Sequence, residues 1–226
     1  MLKKIAPNIW YTQHTFVANG IRASSRMTVV RLHDGSLWLH SPLPISAELK
    51  AEITALGEVK HVVAPSKMHH LFVADCMAAF PQAKLFCAPG LQVKRPDLQG
   101  MQELKPVAEP SWQEDLEQVF FAGMPLVNET VWFHKASRTL IITDLVQCYE
   151  GELSFGLKIY AKLTGTRNQL AVPKTVQWLV KDKVAALTSA KKILDWPFER
   201  VVVAHNSIVE NDAYRVVEKA FDRFKN

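Results

Sequence analysis

Cysteine is scarce and unpatterned in this sequence: three residues in 226, Cys76, Cys87 and Cys148, with no Cys-x-x-Cys pair. An odd count at irregular spacing argues against a disulfide framework and reads as reduced, buried thiols. Long apolar runs are also missing, since no stretch approaches the roughly 18 residues of a membrane span. Met1 to Pro7 carries two lysines but no apolar run of about 7–15 residues follows them, so the start does not read as a secretory signal. A cytoplasmic protein is the expectation. No repeat or low-complexity segment is evident, and the one Pro-rich polar stretch, Pro89 to Trp112, is too interrupted by apolar residues to be a linker. A single domain over residues 1–226 follows.

Basic residues do not gather into a block either. A net charge of +5 and a pI near 9.1 favour an anionic partner. The lysines nevertheless come in scattered pairs, such as Lys3-Lys4 and Lys191-Lys192, and no pattern of basic and aromatic residues marks a nucleic-acid surface.

What is present is a hydrophobic content of 48% at a mean hydropathy near zero, enough for one sizeable core. Strands are predicted at Asn8 to Gln13, Arg26 to Leu32 and Ser36 to His40, the last two joined across an Asp34-Gly35 turn. Pro42 and Pro44 stop this run. A helix is expected from Ser46, as N-cap, to Leu56, with Gly57 beyond its end. Next come a buried strand from Val59 to Ala64, a helix from His69 to Phe80 and a strand from Lys84 to Ala88. Strands are expected again at Val119 to Ala122, Glu129 to His134 and Thr139 to Thr143. Residues 151–170 read as partly helical, and the spacing of Val176, Leu179, Val180, Val184, Leu187 and Ile193 predicts helix over 174–194. Arg200 to Ala204 is a last strand and Val209 to Phe224 a closing amphipathic helix. Strands in both halves flanked by helices imply an α+β fold with two sheets face to face and helices outside.

Chemistry-bearing groups stand where these strands run out: His69 and His70 after Ala64, Asp144 after Thr143, and His205 after Ala204. Strand ends present side chains from rigid elements to a shared cleft. Imidazoles with one carboxylate are a competent ligand set for zinc or iron. A capping pair of histidines and an N-cap aspartate would explain the same residues structurally.

The order of elements resembles the metallo-β-lactamase superfamily, whose signature Thr-His-x-His-x-Asp-His ends a buried strand. The matching string here is Ala64-Pro65-Ser66-Lys67-Met68-His69-His70, with His70 at the final histidine and His69 at the aspartate. Asp144 in Ile-Ile-Thr-Asp is similar to the family's bridging aspartate, and His205 to its terminal histidine. Pro65 and Lys67 replace two ligands of the other metal, and Gly123 to Asn128 has no histidine for the third. Leu39-His40-Ser41-Pro42 and Ser137-Arg138-Thr139-Leu140-Ile141 resemble an uncharacterised branch with degenerate sites.

This resemblance implies a four-layer αββα sandwich that has lost one metal site and keeps the other. His69, His70, Asp144 and His205 are the expected ligands of one zinc or iron ion, with Asp144 or Ser41 orienting an attacking water. Lys67 would hold a substrate anion where the lost cation sat, and Cys148 would stand behind the ligands. Lys158, Lys162, Arg167 and Lys174 would otherwise read an acidic substrate, while Trp178 and Trp196 are expected to be packing anchors. The implied activity is hydrolysis of a small, possibly anionic molecule. The alternatives are a metal-free binding or scaffold module and redox chemistry at a two-His-one-carboxylate iron.

Overall fold

The computed structural model describes residues 1–18 and 20–225. Its first sheet opens with β1 (Lys3–Ala6), β2 (Ile9–Ala18), β3 (Ile21–Arg31) and β4 (Leu37–His40), antiparallel neighbours in chain order. After α1 (Ala47–Leu56), β5 (Val59–Ala64) joins β4 in parallel. After α2 (Val73–Ala79), β6 (Lys84–Cys87) joins β5, and beyond the short α3 (Leu91–Lys94) β7 (Gln102–Glu103) finishes the edge. The second sheet starts with β8 (Leu116–Phe120), β9 (Thr130–His134) and β10 (Thr139–Ile142), all antiparallel. Helices α4 (Phe155–Thr164), α5 (Lys174–Trp178) and α6 (Lys183–Leu194) then lead to β11 (Arg200–Val203), which pairs in parallel with β10. β12 (Ile208–Val209) completes that sheet and α7 (Ala213–Phe221) follows it.

Alternating side chains sort the buried strands into two faces and so build the layers. In β4 and β5, Leu37, Leu39, Val62 and Ala64 pack under α1 and α2 with Ile53, Val73 and Cys76. Trp38 and Val63 point the other way, onto Trp132 and Ile141 of the second sheet. Leu140, Ile142, Val201 and Val203 leave by the far face, against Ala186, Ile193, Val217 and Phe221 of α6 and α7. The expected four-layer αββα sandwich is therefore what forms. Between the sheets, the indole N–H groups of Trp112 and Trp132 both donate to Gln118 Oε1, at 3.1 and 3.2 Å, so two buried donors share one acceptor.

Local chemistry sets the element ends. Ser46 Oγ accepts from Leu49 N–H at the start of α1. Gly57 is required beyond its end, because a Cβ there would lie 2.4 Å from the Gly35 carbonyl oxygen. Several expectations shift, among them the closing helix expected from Val209, which begins at Ala213 because Ile208 and Val209 pair with β11 as β12. The helix predicted from His69 begins at Val73, because Ser66 Oγ accepts from the N–H groups of Met68 and His69 and commits them to a turn. The predicted helix over 174–194 divides into α5 and α6, since Asp182 Oδ1 accepts from Ala185 N–H and caps a new helix. The strand expected from Val119 to Ala122 is centred earlier, at Leu116–Phe120. No described helix is long and apolar enough to cross a membrane.

Candidate metal centre

The parallel pairs β4–β5 and β10–β11 deliver their C-terminal ends to one edge of the sandwich, and the chain beyond each end carries a functional group. Ser41 follows β4, residues 66–70 follow β5, Asp144 follows β10 and His205 follows β11. Among the described residues, one group of His, Cys, Asp or Glu side chains has ligand atoms all within 4.8 Å of one another: His69, Asp144 and His205.

Each imidazole is aimed by a bond on its far nitrogen. His205 Nδ1–H donates to the Ser24 carbonyl at 2.7 Å, leaving Nε2 facing Asp144 Oδ1 at 3.1 Å. His69 Nδ1 lies 2.7 Å from Ser41 Oγ, and its Nε2 faces Asp144 Oδ2 at 3.2 Å. Two Nε2 atoms and one carboxylate thus point at a common centre, a donor set that suits zinc or iron. Burial works to raise the Asp144 carboxyl. The charge of His69 and the hydrogen bonds from His205 and His69 outweigh it and hold the group well below the usual carboxylate range. Burial works to lower His205, but the bond to Asp144 leaves it raised.

Four residues that the sequence reading did not single out hold this geometry. Glu129, fully buried, accepts from the N–H groups of Thr143, Asp144 and Leu145 at 2.6, 3.0 and 2.9 Å, which fixes the turn carrying Asp144. Burial first, and the neighbouring Asp144 second, raise its carboxyl to about 7. Arg26, 3% exposed, donates to the carbonyls of Val203, Asn206 and Ser207 around His205. Gln147 Nε2 donates to Asp144 Oδ1 at 3.2 Å, and Tyr160 O–H donates to Gln147 Oε1 at 3.2 Å. The only signal for Glu129 and for Arg26 was a charged residue at the head of a predicted apolar strand, Glu129 to His134 and Arg26 to Leu32.

The structure brings His69, Asp144 and His205 together and leaves His70 out. Of the two neighbouring histidines expected as ligands, His69 joins this group and His70 does not; the Ser66 hydroxyl, which accepts from the N–H groups of Met68 and His69, holds the turn from which His69 reaches Asp144. His70 Nδ1 lies 3.1 Å from Arg95 Nη1; guanidinium offers no acceptor, so Nδ1 accepts and the ring proton sits on Nε2. Burial, with Lys94 and Arg95 nearby, lowers its pKa to about 4. Ser41 is buried with its hydroxyl on the His69 ring. Lys67 is not on the cleft wall: its ammonium donates to the Pro125 carbonyl at 2.9 Å, and its own N–H to Val127 O at 2.9 Å. It therefore ties together the two segments that the resemblance assigns to the lost metal. Cys148 faces away from the cleft, and burial pushes its thiol up to about 11. Trp196 packs as expected and donates to Glu117, but Trp178 at the end of the short α5 is 76% exposed.

The cleft over the three groups has a volume of about 330 Å³. Phe16, Ile21, Phe72, Tyr149, Leu157 and Tyr160 wall it, and no Lys or Arg is among its described lining residues.

A family model described as a domain of unknown function, DUF4336, matches residues 7–154. The chain belongs to the DUF4336 family. No curated protein matches it in sequence. The structure of this DUF4336 member is similar to those of metallo-β-lactamases. One, from Pontibacter korlensis, is 13% identical with a TM-score of 0.67, covering 100% of this chain and 99% of that one. Another, FIM-1 from Pseudomonas aeruginosa in its mono-zinc form, is 11% identical with a TM-score of 0.63, covering 99% and 95%. A metal-soaked Flv1 flavodiiron core from Synechocystis sp. PCC6803 is 10% identical with a TM-score of 0.68, covering 99% of this chain and 60% of that one. The DUF4336 chain thus has the metallo-β-lactamase fold.

Proposed function

We propose that the protein is a mononuclear metal-dependent hydrolase in which His69, Asp144 and His205 hold one zinc or iron ion. The observation that carries the reading is the convergence of three ligand atoms within 4.8 Å, with both Nδ1 atoms already engaged and both Nε2 atoms directed inward. Second partners that fix the tautomer of each imidazole are a regular feature of metal ligands. The mono-zinc form of FIM-1 and the metal-soaked flavodiiron core, which share this fold, support a metal-binding reading. When bound, such an ion supplies Lewis acidity, polarising a carbonyl or phosphoryl oxygen and making water a competent nucleophile near neutral pH.

The chain's own groups divide the remaining work. Asp144 acts as ligand and orients the attacking water, with Gln147 and Tyr160 fixing its rotamer. Ser41 acts through His69 as a positioning residue. The apolar walls favour a small substrate with an uncharged body over the anion first expected, since Lys67 is engaged by Pro125.

A second reading, a metal-free binding module, draws on a specific observation: Asp144 is the only carboxylate among the described residues lining the cleft, so no second carboxylate there accepts a proton. Elemental analysis of protein purified without a histidine tag or chelator tests both. About one zinc or iron per chain, lost in His69→Ala and His205→Ala but kept in His70→Ala, is the expected result. No metal after reconstitution would overturn the hydrolase reading in favour of the binding module.

A further inference from the structure

A second and larger cavity, of about 610 Å³, lies behind the metal cleft. The segment after Asp144 separates the two. Isolated bridges pair Gln147 with Ala171, Tyr149 with Arg167 and Cys148 with Asn206. Successive side chains of this extended segment point to opposite sides. Gln147 and Tyr149 therefore face the metal cleft, whereas Cys148 and Glu150 face the second cavity.

The cavity is built in two zones. Its floor is apolar, with Cys148, Leu170, Val172 and Ala220 all buried and Val209 and Val216 half-buried. Its rim is cationic. Arg215, Lys219 and Arg223 follow one another at four-residue spacing along α7 and its C-terminal continuation, and Lys174 adds a fourth charge from the start of α5. Among the described residues none of these four cations makes an ion pair, although seven other Lys and Arg side chains do. Like charges four apart on a helix repel one another. Two carboxylates, Glu150 and Asp212, also line the cavity, so cations outnumber acids there by two to one. Asn168, Gln169 and Gln177 contribute neutral amide donors.

A cavity of this size matches those that enclose small organic ligands, which pair apolar walls with a few converging polar groups. Arginine and lysine at a rim recognise phosphate and carboxylate, arginine by its planar fork and lysine as a point charge. We propose that this cavity binds an amphipathic organic anion, with its phosphate or carboxylate head at Lys174, Arg215, Lys219 and Arg223 and its alkyl or aryl body on the floor of Leu170, Val172 and Val216. The site is independent of the metal reading, because it shares no side chain with the metal cleft.

Hexyl phosphate, titrated into the full chain by calorimetry with and without a chelator, tests this. The expected result is saturable binding of one equivalent that the chelator does not change, and at least tenfold weaker binding of inorganic phosphate and of hexanol. The double variant Arg215→Glu, Lys219→Glu changes two exposed residues and should weaken hexyl phosphate at least tenfold with the thermal transition unchanged. Lys158→Glu, on α4 outside the cavity, should leave it unaltered. The proposal is overturned by absence of binding at millimolar ligand, by equal affinity for inorganic phosphate, or by binding that survives the double variant. It is equally overturned by binding that disappears in His205→Ala, which would place the ligand in the metal cleft.

Discussion

Ser41 Oγ sits 2.7 Å from His69 Nδ1, and Ser41 adopts a left-handed backbone, φ 58°, in the position from which it does so. A non-glycine residue there is strained, and such strain persists where the surrounding structure over-determines it. The hydroxyl fixes which nitrogen of His69 faces Asp144.

Two substitutions at this position separate the hydroxyl from the backbone. Ser41→Ala and Ser41→Gly both remove the partner of Nδ1, and each should weaken zinc about 10–100-fold, as lost outer partners of metal ligands do. Glycine relieves the backbone strain and alanine does not, so Ser41→Gly should be the more stable of the two by about 1 kcal/mol. Competition titration with a chromophoric chelator reads the first effect and urea unfolding the second. Unchanged zinc affinity in both variants would remove Ser41 from the site.

Glu129 is the corresponding support for Asp144. Glu129→Gln keeps the shape but replaces one carboxylate oxygen by an NH₂ group, which then confronts backbone donors. At least one buried N–H among Thr143, Asp144 and Leu145 loses its acceptor. An unsatisfied buried donor costs about 1–3 kcal/mol, and the loosened turn should lower zinc affinity together with stability. Zinc affinity that stays at the wild-type value while stability falls would confine Glu129 to a structural role.

The layers were legible in the sequence because alternation is local: Leu140, Ile141 and Ile142 announce their faces by position alone. Strand ends likewise announced Asp144 and His205. The choice between His69 and His70 was not legible, because it depends on the Ser66 hydroxyl withdrawing two N–H groups from the coming helix. Lys67 misled for a related reason: its partner, the Pro125 carbonyl, is 58 residues away and gives no pattern. Glu129 and Arg26 drew no notice in the sequence, because the N–H groups and carbonyls they bond lie far along the chain and give no local pattern.

Acid should destabilise the fold through histidines buried in neutral form. His61, 5% exposed, packs against Phe86 and Trp112 with Nδ1 unpartnered, and burial lowers its pKa to about 4. In the unfolded chain it titrates near 6.5, so between those values the unfolded state binds the extra proton. Its contribution is therefore complete above about pH 6.5 and is lost as pH falls toward 4, by on the order of 2 kcal/mol. Urea midpoints of wild type and His61→Phe should diverge across that window, with the variant losing less. Parallel curves would show that His61 is not the group responsible.

Arg26 tests how the loop that carries His205 is held. Its guanidinium lies 4.8 Å from the centre of the Tyr11 ring and serves the carbonyls of Val203, Asn206 and Ser207; burial lowers its pKa to about 10, which leaves it charged at neutral pH. Arg26→Met fills much of the same space and strands three carbonyls, which should cost about 3 kcal/mol, given that hydrogen bonds to charged groups contribute about 1.5–3 each and the loop can relax toward water. Arg26→Lys keeps the charge, but a single ammonium cannot reproduce the planar fork and should recover only part of the loss. Because His205 lies inside this loop, amide exchange at residues 203–207 should quicken in both variants and zinc affinity should fall in the same order, methionine below lysine below wild type. If exchange quickens while zinc affinity holds, the bond from His205 to the Ser24 carbonyl is sufficient by itself to place the imidazole, and Arg26 serves stability alone.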